Sequence, residues 1–290
     1  MTPEYATAPD GTRIAYRRAG SGPPLVLLHG YPQNHRCWLP VLPRLDERFT
    51  CLLIDLRGYG DSDAPPDDDG HTVYSKRRMA GDVAAVLDAE GIARADIAGH
   101  DRGARVAYRF ALDHPERIAR LAILEVIPTV AFWDAWSADL AQAAYHWNFL
   151  AQKAPLPERL IGADPAWYID WTLSAWNRTG TLAPFADDAR DSYRAQAEDP
   201  VRRTAMCADY RAGYHTDRAI DAADRAAGRR IAAPLHFVWG RHGFPASTGD
   251  PAAVWRTWAE TVTDTSVDTG HFAMEEDPEA VASALLAFFD

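Results

Sequence analysis

The tightest constraint on the fold of this chain is a series of short apolar runs, each stopping abruptly at a polar residue or a glycine. Leu25–Leu28 ends at His29-Gly30, Cys51–Ile54 at Asp55, Ala95–Ala98 at Gly99, and Leu121–Leu124 at Glu125. Runs of this length without polar alternation suit strands covered on both faces. A helical pattern over Met79–Ala89 separates two of them, which predicts a parallel sheet wound with helices. Arg13–Arg17, after an Asp10-Gly11 turn, reads as a further strand. Strand signals then pause from about Thr129 to Arg225, where a Trp- and Tyr-rich helical pattern takes over, and return at Leu235–Trp239. Helix-like Ala252–Ala259, a weak strand near Thr261–Val267 and a last helix over Pro278–Phe289 complete the chain. The reading is a doubly wound core of residues 1–127 and 226–290 with a helical cap at 128–225, an insertion of roughly a hundred residues over a cleft.

Composition narrows the partners. At 290 residues and 47% hydrophobic, the chain affords one sizeable core. A net charge of −11 with no basic run makes nucleic acid and anionic membranes poor partners, so an anionic small molecule has to be captured locally. Cys37, Cys51 and Cys207 are odd in number and scattered, which predicts buried free thiols. The start has no charged and apolar leader, and no stretch is long enough to span a bilayer, so a cytoplasmic location is expected. No histidine pair has metal-ligand spacing with an acid nearby, so neither metal nor cofactor is assigned.

The chemistry concentrates at Gly99-His100-Asp101-Arg102-Gly103, between a buried strand and an Ala/Val-rich helix. This is the context of a G-x-S-x-G nucleophile elbow, with Asp in place of Ser. A carboxylate there can attack a saturated carbon and form an alkyl ester, which favours displacement at carbon over ordinary ester cleavage. The bland alternative is an Asp that only caps its helix. His29 and His100 read as packing and loop residues.

His29-Gly30-Tyr31-Pro32 follows the strand signal Leu25–Leu28, so the backbone N–H groups of Tyr31 and Arg102 are the expected oxyanion donors. His271, in Asp268-Thr269-Gly270-His271-Phe272, lies between the last strand and the last helix, where a general base would activate water against the ester. The segment at the end of the strand signal Leu235–Trp239, Trp239-Gly240-Arg241-His242-Gly243, contains no carboxylate. Glu125, closing the strand signal Leu121–Leu124, is the expected partner that orients His271 and stabilises its imidazolium form. A surface-loop histidine and a strand-end glutamate are the competing readings.

On these residues the chain resembles the fluoroacetate (haloacetate) dehalogenases of the α/β-hydrolase superfamily. The resemblance spans nearly the whole length and rests on His29-Gly30-Tyr31-Pro32-Gln33, Arg57-Gly58-Tyr59-Gly60, Gly99–Arg105, Tyr145-His146-Trp147, Asp209-Tyr210-Arg211-Ala212-Gly213 and Gly270-His271-Phe272. It implies an α/β-hydrolase fold with Asp101 as nucleophile, His271 as base, and Arg102 and Arg105 as a clamp for the substrate carboxylate. By the same resemblance His146, Trp147 and Tyr210 donate to the halide, Trp176 lines the pocket, and a homodimer is expected. The family places an aspartate where this chain has Glu125, one methylene longer.

Physical chemistry supports these roles separately. Arg102 and Arg105, three apart at a helix start, can share a face, and guanidinium forks suit a carboxylate. The helix N-terminus adds positive potential. Arg109, a turn further on, offers the alternative of a solvated basic stripe. A strongly hydrated fluoride leaving group needs several aimed donors in a dry pocket, and imidazole, indole N–H and phenol provide them, although ordinary packing is the competing reading for cap aromatics. Trp133, Trp136, Trp167 and Trp171 keep that packing reading. An epoxide hydrolase is the nearest alternative, with Tyr145, Tyr210 and Tyr214 as possible donors, but it would leave Arg102 and Arg105 without a substrate carboxylate. A haloalkane dehalogenase usually carries Trp after the nucleophile, and a non-catalytic receptor has no use for an Asp101/His271 pair.

Overall fold

In the computed structural model, which describes residues 1–290, eight strands form one sheet in the order β1-β2-β4-β3-β5-β6-β7-β8. They are β1 (Glu4–Thr7), β2 (Arg13–Ala19), β3 (Pro24–Leu28), β4 (Thr50–Ile54), β5 (Ala95–His100), β6 (Ile118–Leu124), β7 (Leu235–Gly240) and β8 (Val262–Val267). β2 runs antiparallel to β1 and β4, and all pairings from β4 to β8 are parallel. β4 and β5 are buried along their whole length, which is why their sequences are mostly apolar, with Asp96 of β5 paired to Arg120. The short edge strand β1 has only one buried residue and gave no readable signal.

Helices Lys76–Ala89 and Arg102–Asp113 connect the central strands, and the helix Pro278–Phe289 closes the chain. Between β6 and β7 the chain is helical, from Thr129–Asp134 through Pro165–Trp176 and Pro200–Ala212 to Arg218–Ala226. Arg109 is not part of a solvated stripe. It is buried and paired with Asp113, Asp221 and Asp224, so it ties the central helix to the helix Arg218–Ala226. The cysteines are free and buried, and no helix is long and apolar enough to cross a membrane.

A parallel sheet brings the loops after its strands to one edge, the usual place for a ligand in open α/β sheets. Leu28 pairs with Gly99, and His100 with Leu124, so His29–Gln33, Asp101 and Glu125 emerge side by side.

Candidate active site

Asp101 sits on the turn from β5 into the helix Arg102–Asp113 with φ 45° and ψ −114°. A non-glycine residue in that region is strained, and strain of this kind persists only where the surroundings enforce it. Gly103 allows it, because a Cβ there would overlap the backbone of Leu28 and His29. The Asp101 side chain accepts nothing from its own helix, so it does not act as a cap. Its Oδ2 instead accepts the Tyr31 N–H at 3.0 Å, and Oδ1 accepts no bond. Of the two expected oxyanion amides, the structure brings Tyr31 onto the carboxylate, while the Arg102 amide makes no such bond.

His271 faces Asp101 on one side and Glu125 on the other, with Nε2 3.9 Å from Asp101 Oδ2 and Nδ1 3.6 Å from Glu125 Oε2. Both separations exceed a hydrogen bond, and His271 Nδ1 and Glu125 Oε2 have no other partner. Glu125 is itself held in a left-handed conformation, φ 63°. Its Oε1 accepts the Gly240 N–H. Gly243 leaves the room it needs, since a Cβ there would collide with Glu125 Oε2. The glycines of the acid-free segment after β7 thus receive a carboxylate that reaches across from β6.

The charges are strongly coupled. Burial works to lower the His271 value, but Asp101 and Glu125 overcome it and raise it to about 9. Burial likewise pushes Asp101 up, and His271, His100 and Arg102 more than reverse this, holding its carboxyl well below the usual range. Glu125 is pushed up to about 7 by burial, against the pull of His271. At neutral pH the site therefore holds an ionised Asp101 facing an imidazolium. His29 and His100 are buried supports: His29 Nε2 accepts the Leu56 N–H, and His100 Nε2 lies 2.7 Å from the His271 carbonyl. Burial lowers the His100 value to about 3, which makes it a neutral donor to that carbonyl.

Arg102 and Arg105 are both buried at the start of the helix after Asp101. Arg105 Nη1 donates to the Ile127 carbonyl and Thr129 Oγ1, and its Nε has no partner. Arg102 grips Asp209 through Nε and Nη2, and its Nη1 has no partner. The Arg102 guanidinium lies 4.3 Å from the Tyr210 ring centre, and that of Arg105 4.5 Å from the Trp147 ring centre. Tyr210 also packs edge-on against Tyr31, at 5.2 Å, and His146, at 5.7 Å. The Tyr210 hydroxyl and His146 Nδ1 are buried without a partner. Burial keeps the phenol protonated and the imidazole neutral, so each remains a donor of one proton.

Trp176 closes this group, 4.0 Å from the His146 ring and 5.8 Å from that of His271, and its carbonyl accepts the His271 N–H. With Asn177, His242, Phe244 and His271 it lines a cavity of about 330 Å³ that opens beside the base. All residues singled out from the sequence, Tyr31, Asp101, Arg102, Arg105, Glu125, His146, Trp147, Trp176, Tyr210 and His271, meet in one cluster where the helices after β6 face the sheet edge. The sequence analysis assigns no role to Asp209, Lys76 or Phe244, which the structure places against Arg102, Asp209 and His271 respectively. Asp209 carried a signal, an acid within the otherwise apolar stretch Met206–Ala208 and Tyr210. Phe244, whose ring lies 5.0 Å from that of His271, carried none.

The alpha/beta hydrolase fold family matches the chain over residues 23–278. The chain belongs to the α/β-hydrolase family. Among the relatives of this α/β hydrolase, a fluoroacetate dehalogenase from Burkholderia sp. is 38% identical over 269 residues, 93% of this chain and 88% of that one. A soluble epoxide hydrolase from Corynebacterium sp. (strain C12) is 33% identical over 284 residues, 97% of this chain and 94% of that one. A crystal structure of a protein assigned to the α/β hydrolases, from Nostoc sp. PCC 7120, superposes with a TM-score of 0.95 at 39% identity, covering 99% of this chain and 97% of that one. These relationships make the protein a hydrolase, similar both to a fluoroacetate dehalogenase and to an epoxide hydrolase.

Proposed function

We propose that this α/β hydrolase removes halide from small 2-haloacids, converting fluoroacetate or chloroacetate to glycolate. The observation that carries this reading is the pair of buried guanidiniums, each with an N–H that no protein group accepts, at the start of the helix that follows Asp101. Leaving buried charged donors unmet is costly, and a substrate carboxylate would satisfy both. A neutral substrate would not.

In this reaction Asp101 Oδ1 attacks C2 of the haloacid, the carbon–halogen bond breaks, and the halide departs with the electron pair toward the His146, Trp147 and Tyr210 donors. The product is an ester of Asp101, and the carboxylate charge that held the His271 proton is gone. His271 then gives up that proton and becomes able to take one from water. The resulting hydroxide adds to the ester carbonyl, whose oxygen develops charge against the Tyr31 amide. Collapse releases the hydroxyacid and restores the Asp101 carboxylate, with one proton and one halide formed per turnover. Glu125 orients the imidazole and stabilises its charged form.

A second reading, opening of an epoxide, is favoured by the free Tyr210 hydroxyl, which could donate to an epoxide oxygen. Release of halide from fluoroacetate and chloroacetate, measured by ion chromatography beside diol formation from a simple epoxide, decides between them. Diol formation without halide release overturns the haloacid reading.

A further inference from the structure

Asp209 lies on the cap helix Pro200–Ala212, immediately before Tyr210, and is completely buried. Its carboxylate is the meeting point of two core helices. Oδ2 accepts from Arg102 Nε at 3.1 Å and from the Tyr59 hydroxyl at 3.1 Å; Oδ1 accepts from Arg102 Nη2 at 2.7 Å and from Lys76 Nζ, and Nη2 also reaches the Asp209 carbonyl at 2.7 Å. Arg102 therefore spends one edge of its fork on Asp209 and keeps Nη1 free. We propose that Asp209 is a positioning residue that sets Arg102 for the substrate carboxylate. This inference rests on the haloacid reading above.

The arrangement has a physical reason. A free arginine side chain carries about 2 kcal/mol of rotamer entropy. A two-point grip on one edge removes that freedom before substrate arrives and fixes the direction of the remaining N–H groups. Arg105 is held by neutral oxygens of the core, Ile127 and Thr129, whereas Arg102 is held by a carboxylate from the cap. Lys76 and Arg102 share the single carboxylate of Asp209, which alone does not neutralise both. Because Asp209 and Tyr210 are adjacent, one docking position of the cap helix places both the support of the clamp and a donor to the leaving halogen.

The test compares wild type, Asp209→Asn, Arg102→Leu and the double variant. Acetate binding is measured by calorimetry, and halide release is followed on chloroacetate and on neutral chloroacetamide. Asp209→Asn is expected to raise the acetate Kd and the chloroacetate KM roughly tenfold or more, the size of one charge-assisted bond. The rate of chloride release from chloroacetamide is expected to change less than about threefold, since no carboxylate is bound there. In the double variant, adding Asp209→Asn to Arg102→Leu is expected to change acetate affinity less than about threefold, because the residue acts through Arg102. If Asp209→Asn alone does not fold, this double-variant comparison decides, since it removes both members of the pair. Equal losses on chloroacetate and chloroacetamide, or additive losses in the double variant, overturn the proposal. Acetate binding unchanged by Asp209→Asn overturns it alone, whereas wild type that neither binds acetate nor dehalogenates chloroacetate overturns the haloacid reading as well.

Discussion

Replacing Asp101 by Asn imitates, in shape and charge, the loss of the carboxylate that occurs when the ester forms. His271 Nε2 lies 3.9 Å from Asp101 Oδ2. At an effective dielectric of about 20, opposite unit charges at that separation interact by about 4 kcal/mol. At 1.36 kcal/mol per pH unit, this corresponds to a fall of about three pH units in the His271 midpoint. In the wild-type protein that value is raised to about 9, burial opposing and Asp101 and Glu125 prevailing. The variant should therefore show a histidine that titrates on the acid side of neutrality, and no turnover. Imidazole nitrogen chemical shifts of wild type and Asp101→Asn, followed from pH 5 to 10, measure the change. The sign matters: the base must be protonated while Asp101 is an anion and unprotonated once it is an ester. A midpoint that moves by less than about half a pH unit would remove the electrostatic coupling on which the second half-reaction depends.

Tyr210→Phe removes a hydroxyl with little change of shape, and should slow the chemical step on fluoroacetate by roughly 5–150-fold, equivalent to about 1–3 kcal/mol, with a distinctly smaller loss on chloroacetate. Equal losses in single-turnover rates would leave Tyr210 only a wall of the pocket. Arg105→Leu should raise the KM for chloroacetate roughly 10–150-fold while sparing chloroacetamide, and parallel losses on both would point to damaged packing against Trp147. Glu125→Gln should slow ester hydrolysis by roughly tenfold or more and alkylation much less, as rapid-quench measurement of the two steps would show. Pre-steady-state hydrolysis of the ester should gain rate with pH through a midpoint below about 9, because alkylation has cancelled the Asp101 charge that raised the His271 value.

Much of this site was legible because the fold announces it. Ends of apolar runs are ends of parallel strands, so the sequence alone puts Asp101, Glu125 and the Tyr31 loop at one sheet edge. Glu125 depends on more than the strand pattern. Its longer reach uses the empty space at Gly243, in the loop after β7, and the amide of Gly240, the last residue of β7. Arg109 was open to the wrong description because a charge on a helix says nothing about acids that arrive from residues 221 and 224. Asp209 stands out in the sequence as an acid in an apolar stretch, but what it binds is hidden there for the same reason. Its partners, Lys76, Arg102 and Tyr59, come from three separate segments, and only tertiary packing turns a single acid into the hub of a clamp.

The central claim is that the reaction passes through an ester on Asp101 that His271 is needed to break. Incubating His271→Asn with chloroacetate and analysing the intact protein and its peptides by mass spectrometry tests it most directly. The account predicts at most one chloride released per site and a carboxymethyl group on the peptide carrying Asp101. Sustained turnover without an adduct, or an adduct on any other residue, would contradict it.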